Sequence, residues 1–336
     1  MTKAKDMEEP YDLEIEELCR TISEKGYKRI LLQFPEGLKG LAPQVKDEVE
    51  NKTGADVFIH ADTCYGACDL PDIHGTDMDL VVQYGHSEMK GVRYPVPTMF
   101  IEAYSTLDVI PAVEKSLSQL KGTVGLVTTV QHINQLPKVK ELLEKEGFKV
   151  VIGKGANRTI HNGQVLGCSL SSATSISGEV DCFLFIGSGN FHPIGVAMAT
   201  QKPVVIADPY ANEVREVEEL KNRLLRQRHG AITRAGEAVH VGILVSGKPG
   251  QQRLKLAANI KSLAEKYGKK AYVLLLNEIH PDKLSTFKMD AYISTACPRI
   301  AMDDYHMYSV PILTPYEFRI AVGEALWESY RYDEFM

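Results

Sequence analysis

Short, continuously apolar runs alternate along the chain with amphipathic stretches, and the alternation comes round three times. The first round starts at Gly26 with "GYKRILLQFPEGLKGLAPQVKDEVENKTGADVFIHAD". The second starts at Gly122 with "GTVGLVTTVQHINQLPKVKELLEKEGFKVVIGKG". The third starts at Ala238 with "AVHVGILVSGKPGQQRLKLAANIKSLAEKYGKKAYVLLLNE". In each, an apolar strand passes through a polar or glycine-containing loop into an amphipathic helix and then a second apolar strand. Runs such as "VGILV", apolar at every position, suit parallel strands covered on both faces. Each round continues to a third strand, "MDLVVQYGH", "VDCFLFIGSG" and "MDAYISTACP", and closes with a fourth, "VPTMFIEAY", "KPVVIADPY" and "VPILTPYEF". A helix leads into each, "LEIEELCRTISEKG", "TLDVIPAVEKSLSQLKG" and "EVREVEELKNRLLRQRHG".

The pattern predicts an α/β protein of three similar domains, each a parallel sheet of about four strands with flanking helices, arranged around a central site. The expected divisions are residues 1–103, 104–210 and 211–336. Generic α/β patterning also makes segments look alike; triplication rests on four strands matching in order three times.

In open α/β sheets, ligands gather outside the carboxyl ends of the strands. Those ends carry "HADTCYGACD" and "GKGANRTIHNGQVLGCSL" after second strands, and "STACPRIAMDD" after a third. Cys68, Cys168 and Cys297 thus fall one per repeat, each beside Gly, Ala or Pro in a segment too polar for core. Around a pseudo-threefold centre the three thiols could meet. Cys19, at helical spacing with Ile15 and Ile22, and Cys182, inside "VDCFLFI", read as core. Cys64 stays ambiguous between ligand, neighbour and small loop residue.

Composition narrows the setting. The 336 residues are enough for two or three domains. A net charge of −6 lacks the basic excess of a general nucleic-acid binder. No apolar run reaches the ~18 residues that span a bilayer, and the N-terminus has no apolar signal region. A soluble, cytoplasmic protein is expected, with neither membrane nor direct nucleic-acid contact. In a reducing compartment, thiols outside the core more often bind metal or take part in catalysis.

Two metal chemistries compete on spacing alone. Zinc wants four N or S ligands in a structural site, or three and a water in a catalytic one; Cys64 and Cys68 with His60 or His74 could begin such a site. An iron–sulfur cluster wants thiolates, and three would leave one iron open to substrate. A third reading is a non-catalytic small-molecule-binding protein with incidental cysteines.

"DTCYGACDL", "QVLGCSL" and "ACPRIAMDD", in that order on a triplicated α/β frame, together with "YGHSEM" from Tyr84 to Met89, resemble the diphthamide synthase family. The resemblance covers nearly the whole chain. It implies a [4Fe–4S] cluster on Cys68, Cys168 and Cys297, with S-adenosylmethionine as cosubstrate. It implies transfer of the 3-amino-3-carboxypropyl group to a histidine of translation elongation factor 2 by a radical route, with release of methylthioadenosine. It also implies an electron donor and, in archaea, a homodimer. The usual C-x3-C-x2-C triad of radical enzymes is absent, since Pro71 stands where its third cysteine would fall.

The cosubstrate needs partners for a carboxylate, an amine and an adenosine. "SGKPGQQRL" offers Ser246, Gly247, Lys248, Gly250, Gln251 and Arg253 where a strand opens into a helix. "GSGNFHPIG" offers Gly187, Gly189 and His192, and "TTVQH" ends at His132. Arg299, two residues beyond Cys297, could hold the carboxylate or form an ion pair between domains. Ordinary tight turns would look the same, and His86 and His192 read equally as site or satisfied loop residues. The acidic pair in "MDD", residues 302–304, is expected to shape the cysteine loop or cap a helix.

Overall fold

The computed structural model describes residues 10–94, 96–156 and 158–335. The first sheet holds β1 Arg29–Gln33, β2 Asp56–His60, β3 Leu80–Tyr84 and β4 Thr98–Ile101. The second holds β5 Thr123–Thr128, β6 Lys149–Val151, β7 Cys182–Ile186, β8 Val204–Asp208 and β9 Glu213–Glu216. The third holds β10 His240–Ser246, β11 Lys270–Leu276, β12 Ala291–Ser294 and β13 Ile312–Leu313. Their orders are β2-β1-β3-β4, β6-β5-β7-β8-β9 and β11-β10-β12-β13. The same 2-1-3-4 arrangement therefore appears in all three. Every pairing is parallel except β8 with β9.

The antiparallel edge strand is where the pattern misled. Residues 213–216 read as the start of the helix that enters the third repeat. They pair instead with Val205–Asp208, and the helix is confined to Glu218–Gly236. Alternating charges at Glu213, Arg215 and Glu216 suit an edge facing water as well as they suit a helix.

The inner strands β1, β3, β5, β7, β8, β10 and β12 are buried along nearly their whole length, whereas the edge strands β2, β9 and β11 are largely open. Each sheet is covered by helices whose apolar stripes form the cores around Leu18, Val45 and Ile101, around Val113, Val139 and Leu184, and around Ile232, Ile260 and Phe318. Cys19 and Cys182 sit inside the first two of these, 7% and 4% exposed. No helix among the described residues is long and apolar enough to cross a membrane.

In a 2-1-3-4 sheet the chain leaves the two central strands in opposite directions, and a crevice opens at their carboxyl ends. Gln33 and Gln83 stand at that switch point in the first sheet, Thr128 and Ile186 in the second, and Ser246 and Ser294 in the third. The loops bearing cysteines follow β2, β6 and β12, on the same carboxyl side of the sheets.

Candidate active site

Cys68, Cys168 and Cys297 line a single cavity of about 520 Å³, together with residues from the ends of all three sheets. Each sheet supplies one thiol. Burial pushes the Cys68 thiol up to about 11, and the neighbouring Cys168 adds to the shift. Cys297 is pushed up by burial and then by Cys68 and Cys168. Burial raises Cys168 as well, against the pull of the Arg158 guanidinium. Thiols held up by burial in this way would ionise readily only around a cationic group.

The loop of Cys68 is anchored by two buried glutamines. Gln33 Nε2 donates to the Asp69 carbonyl at 2.8 Å, and Gln83 Nε2 donates to Gln33 Oε1 at 2.7 Å. Polar intrusions in "LLQF" and "VVQYG" were the available signal for them, since a fully buried strand position has no other use for an amide. Gly250 closes on the same loop. A Cβ there would lie 2.4 Å from the Cys68 Cβ and 2.5 Å from its Cα, so only glycine fits. Next to it, Gln251 Nε2 donates to Cys68 Sγ at 3.4 Å.

The Cys297 turn begins after β12, where Thr295 Oγ1 donates to the Leu244 carbonyl at 2.8 Å. It continues into the short helix Arg299–Met302. Beneath it lies a fully buried pair: Arg228 Nη2 and Glu317 Oε2 are 2.6 Å apart, with both side chains at 0% exposure. Arg228 also donates to the Ala301 and Ile312 carbonyls at 2.7 and 2.6 Å. Nothing in the helical pattern of "LKNRLLRQRHG" marks Arg228 among its neighbouring arginines.

The proposed cosubstrate contacts divide. Arg299 and His192 share the cavity with the cysteines. Ser246, Lys248, Gln251 and Arg299 line an adjoining pocket of about 120 Å³ that also reaches Cys297. Tyr65 stands in both, with the Arg299 guanidinium 5.6 Å from its ring centre. Arg299 pairs with Asp303 at 2.9 Å, inside its own turn rather than across domains. Lys248 is held by buried Asp69 at 2.5 Å. Gly187 and Gly189 take positive φ, 141° and 77°, which shapes the turn before His192. Gly247 approaches Asn277 and lines a different cavity.

Three histidines face the thiol cavity. Burial lowers His86, His132 and His192 to about 4 each, so all are neutral at pH 7. His132 is 1% exposed and its Nδ1 has no partner among the described residues.

The zinc arrangement is not assembled. Cys64 is buried away from the cavity, its Sγ 3.9 Å from His86 Nδ1. His60 and His74 line a separate cavity with no cysteine in its wall. Among the described residues no three His, Cys, Asp or Glu side chains come close enough to hold one metal ion. Three thiols spread around a shared space fit a larger, thiolate-bound iron–sulfur group better than a single ion.

The family described as "Putative diphthamide synthesis protein" matches residues 34–333. The chain belongs to this family. Within it, the chain is 39% identical to 2-(3-amino-3-carboxypropyl)histidine synthase of Pyrococcus horikoshii, over 95% of this chain and 92% of the relative. It is 32% identical to the enzyme of that name from Methanocaldococcus jannaschii, over 96% and 93%. The crystal structure of Dph2 from Pyrococcus horikoshii with a 4Fe-4S cluster superposes with a TM-score of 0.88 at 37% identity, covering 97% of this chain and 94% of that one. The family's fold is thus the one described above.

Proposed function

We propose that this diphthamide-family chain transfers the 3-amino-3-carboxypropyl group of S-adenosylmethionine to a histidine of translation elongation factor 2 and releases methylthioadenosine. The observation that carries the reading is the meeting of Cys68, Cys168 and Cys297, one from each sheet, on one cavity wall. These three would hold a [4Fe–4S] cluster. When bound, the cluster would supply the electron that opens the bond from sulfur to the aminocarboxypropyl carbon. The rest falls to the protein. Arg299 and Gln251 offer donors to the carboxylate of the cosubstrate beside Cys297. The aromatic face of Tyr65 sits beside both pockets. Neutral His192, with Phe185 and Phe191 around it, keeps that wall apolar and dry. Fixing the scissile bond in a water-poor site is the contribution such residues make.

The division at residues 1–103, 104–210 and 211–336, the external electron donor and the cytoplasmic location belong to the same proposal. So does the homodimer. It is supported by two sheet edges, where β2 exposes Phe58 and Ile59, and β11 exposes Tyr272, Val273 and Leu275. Apolar side chains on open edges suit a second copy better than water.

The test is anaerobic incubation of the iron-loaded, dithionite-reduced protein with S-adenosylmethionine and the factor. Methylthioadenosine and an aminocarboxypropyl mass gain are expected. 5′-Deoxyadenosine, or a methyl mass gain alone, would reject the mechanism.

A further inference from the structure

Arg158 lies in the loop after β6, ten residues before Cys168, and reaches all three sheets. Its Nη1 donates to Cys168 Sγ at 3.5 Å and approaches Met89 Sδ at 3.9 Å, and its Nη2 donates to the Gly250 carbonyl at 2.6 Å. Gly250 is the residue pressed against Cys68. Among the described residues Arg158 has no carboxylate partner, so its charge is turned toward the sulfur. It is held from behind. Its guanidinium lies 4.1 Å from the centre of the Phe335 ring, and Arg253 lies 3.9 Å from the same centre. Arg253, unlike Arg158, is neutralised by Asp333, through contacts of 3.1 and 2.6 Å.

Phe335 is placed by the chain's last residues, which strap the Cys168 loop. Phe335 N donates to the Cys168 carbonyl at 2.9 Å, and Tyr332 Oη donates to the Gly167 carbonyl at 2.9 Å. Leu170 N donates to Glu334 Oε2 at 2.7 Å.

We propose that Arg158, clamped against Cys168 by the Tyr332–Phe335 strap, is a positioning residue that makes the cluster easier to reduce. The proposal rests on the reading of Cys168 as a cluster ligand. Reduction brings one electron from the donor, dithionite in the test below, and adds one negative charge to the group held by the thiolates. A fixed cation with an N–H on the ligand sulfur stabilises the more negative state in a low dielectric, which raises the potential. The planar fork reaches Cys168 and Gly250 through two separate nitrogens in fixed geometry, where a lysine has a single one. Stacking on Phe335 removes the rotamer freedom that would otherwise let the charge swing away.

The test is a redox titration of the full chain, anaerobically loaded with iron and sulfide, with iron and sulfide counted per chain. In Arg158→Gln the cluster should persist, and the reduction equilibrium should become about tenfold less favourable, a shift of about 59 mV for one electron. Arg158→Lys should fall between this and the unaltered chain. Phe335→Ala should shift the same way by less. A full cluster at unchanged potential in Arg158→Gln would overturn the proposal, because a role in packing alone lowers the melting temperature and leaves the potential in place. If Arg158→Gln holds no iron, the other two variants decide: unchanged potentials in both reject the proposal. Absence of iron from the unaltered chain would instead defeat the cluster reading on which it stands.

Discussion

The Cys297 turn and the Cys168 loop present the same kind of side chain to the same cavity and differ in what holds them there. Cys297 is held from within its own sheet, by the Thr295 bond to Leu244 and the buried Arg228–Glu317 pair below. The Cys168 loop sits after a strand of three residues, Lys149–Val151, with a long connection between. Val165 N ties it to the Thr128 carbonyl of its own sheet at 2.9 Å, and beyond that it is held by residues 332–335 and by Arg158 stacked on Phe335. A ligand supported by its own domain is as stable as that domain. A thiol supported by a short strap depends on a segment with few contacts of its own, and such segments open before the core does. On the proposed reading, Cys168 is therefore the member of the three that answers most to its strap.

The strongest break in this comparison removes the thiols themselves. Cys168→Ser and Cys297→Ser should each deplete iron and lower methylthioadenosine release by more than ~100-fold, beyond what loss of a supporting residue costs. Iron analysis and nucleoside chromatography check this. A full, active cluster in Cys168→Ser would remove it from the proposed set.

Arg228→Ala attacks the internal support of Cys297. It strands Glu317 in the core and leaves the Ala301 and Ile312 carbonyls unpaired. Breaking such a pair on one side should cost about 3–5 kcal/mol, read from urea unfolding. Deleting residues 332–336 attacks the external support. It removes three hydrogen bonds to the Cys168 loop, a local loss of about 2–4 kcal/mol. Amide exchange should then quicken at Gly167–Leu170 and stay slow in β10 and β12. Equal quickening in both places would erase the distinction.

What was legible in the chain follows the same line. Three rounds of strand and helix, and one cysteine at a strand end in each, could be read because local periodicity and the sheet-edge rule are short-range facts. Arg158, Arg228 and Phe335 could not. Each acts on partners 73 or more residues away or on another sheet, and no local pattern encodes that. The strand Glu213–Glu216 was missed because a four-residue charged edge and a helical first turn share one polarity pattern. Lys248 showed as a loop cation, but its capture by Asp69 did not.

The cavity's neutral histidines give a pH signature. His132 is pushed to about 4 by burial, against an unfolded value near ~6.5. Below that unfolded value the unfolded chain binds a proton that the folded chain refuses. The stability is thus whole above pH ~6.5 and is lost as pH falls toward 4, by about 1–3 kcal/mol at the lower end. Urea midpoints at pH 7.5 and 5 should show the loss. His132→Phe keeps the ring against Tyr210 and should reduce it. An unchanged slope would place the protonation elsewhere.

The smallest effect is expected inside the Cys68 loop, where two thiols lie four residues apart. Cys68 faces the cavity, touches Gln251 and is pressed by Gly250. Cys64 does not line the cavity, and its Sγ lies 3.9 Å from the Gly66 and Asp69 carbonyls and from His86. Burial and then Asp69 push its thiol up to about 12, so it stays protonated and a poor ligand. Cys64→Ala removes one small buried atom and should cost about 1 kcal/mol of stability. Iron and sulfide per chain should not change. Cys68→Ala should deplete both. If Cys64→Ala lost iron while keeping its unfolding midpoint, the loop would have to turn over on loading. Cys64 would then share the ligand role with Cys68, and the rule of one thiol from each sheet would fail in the first sheet.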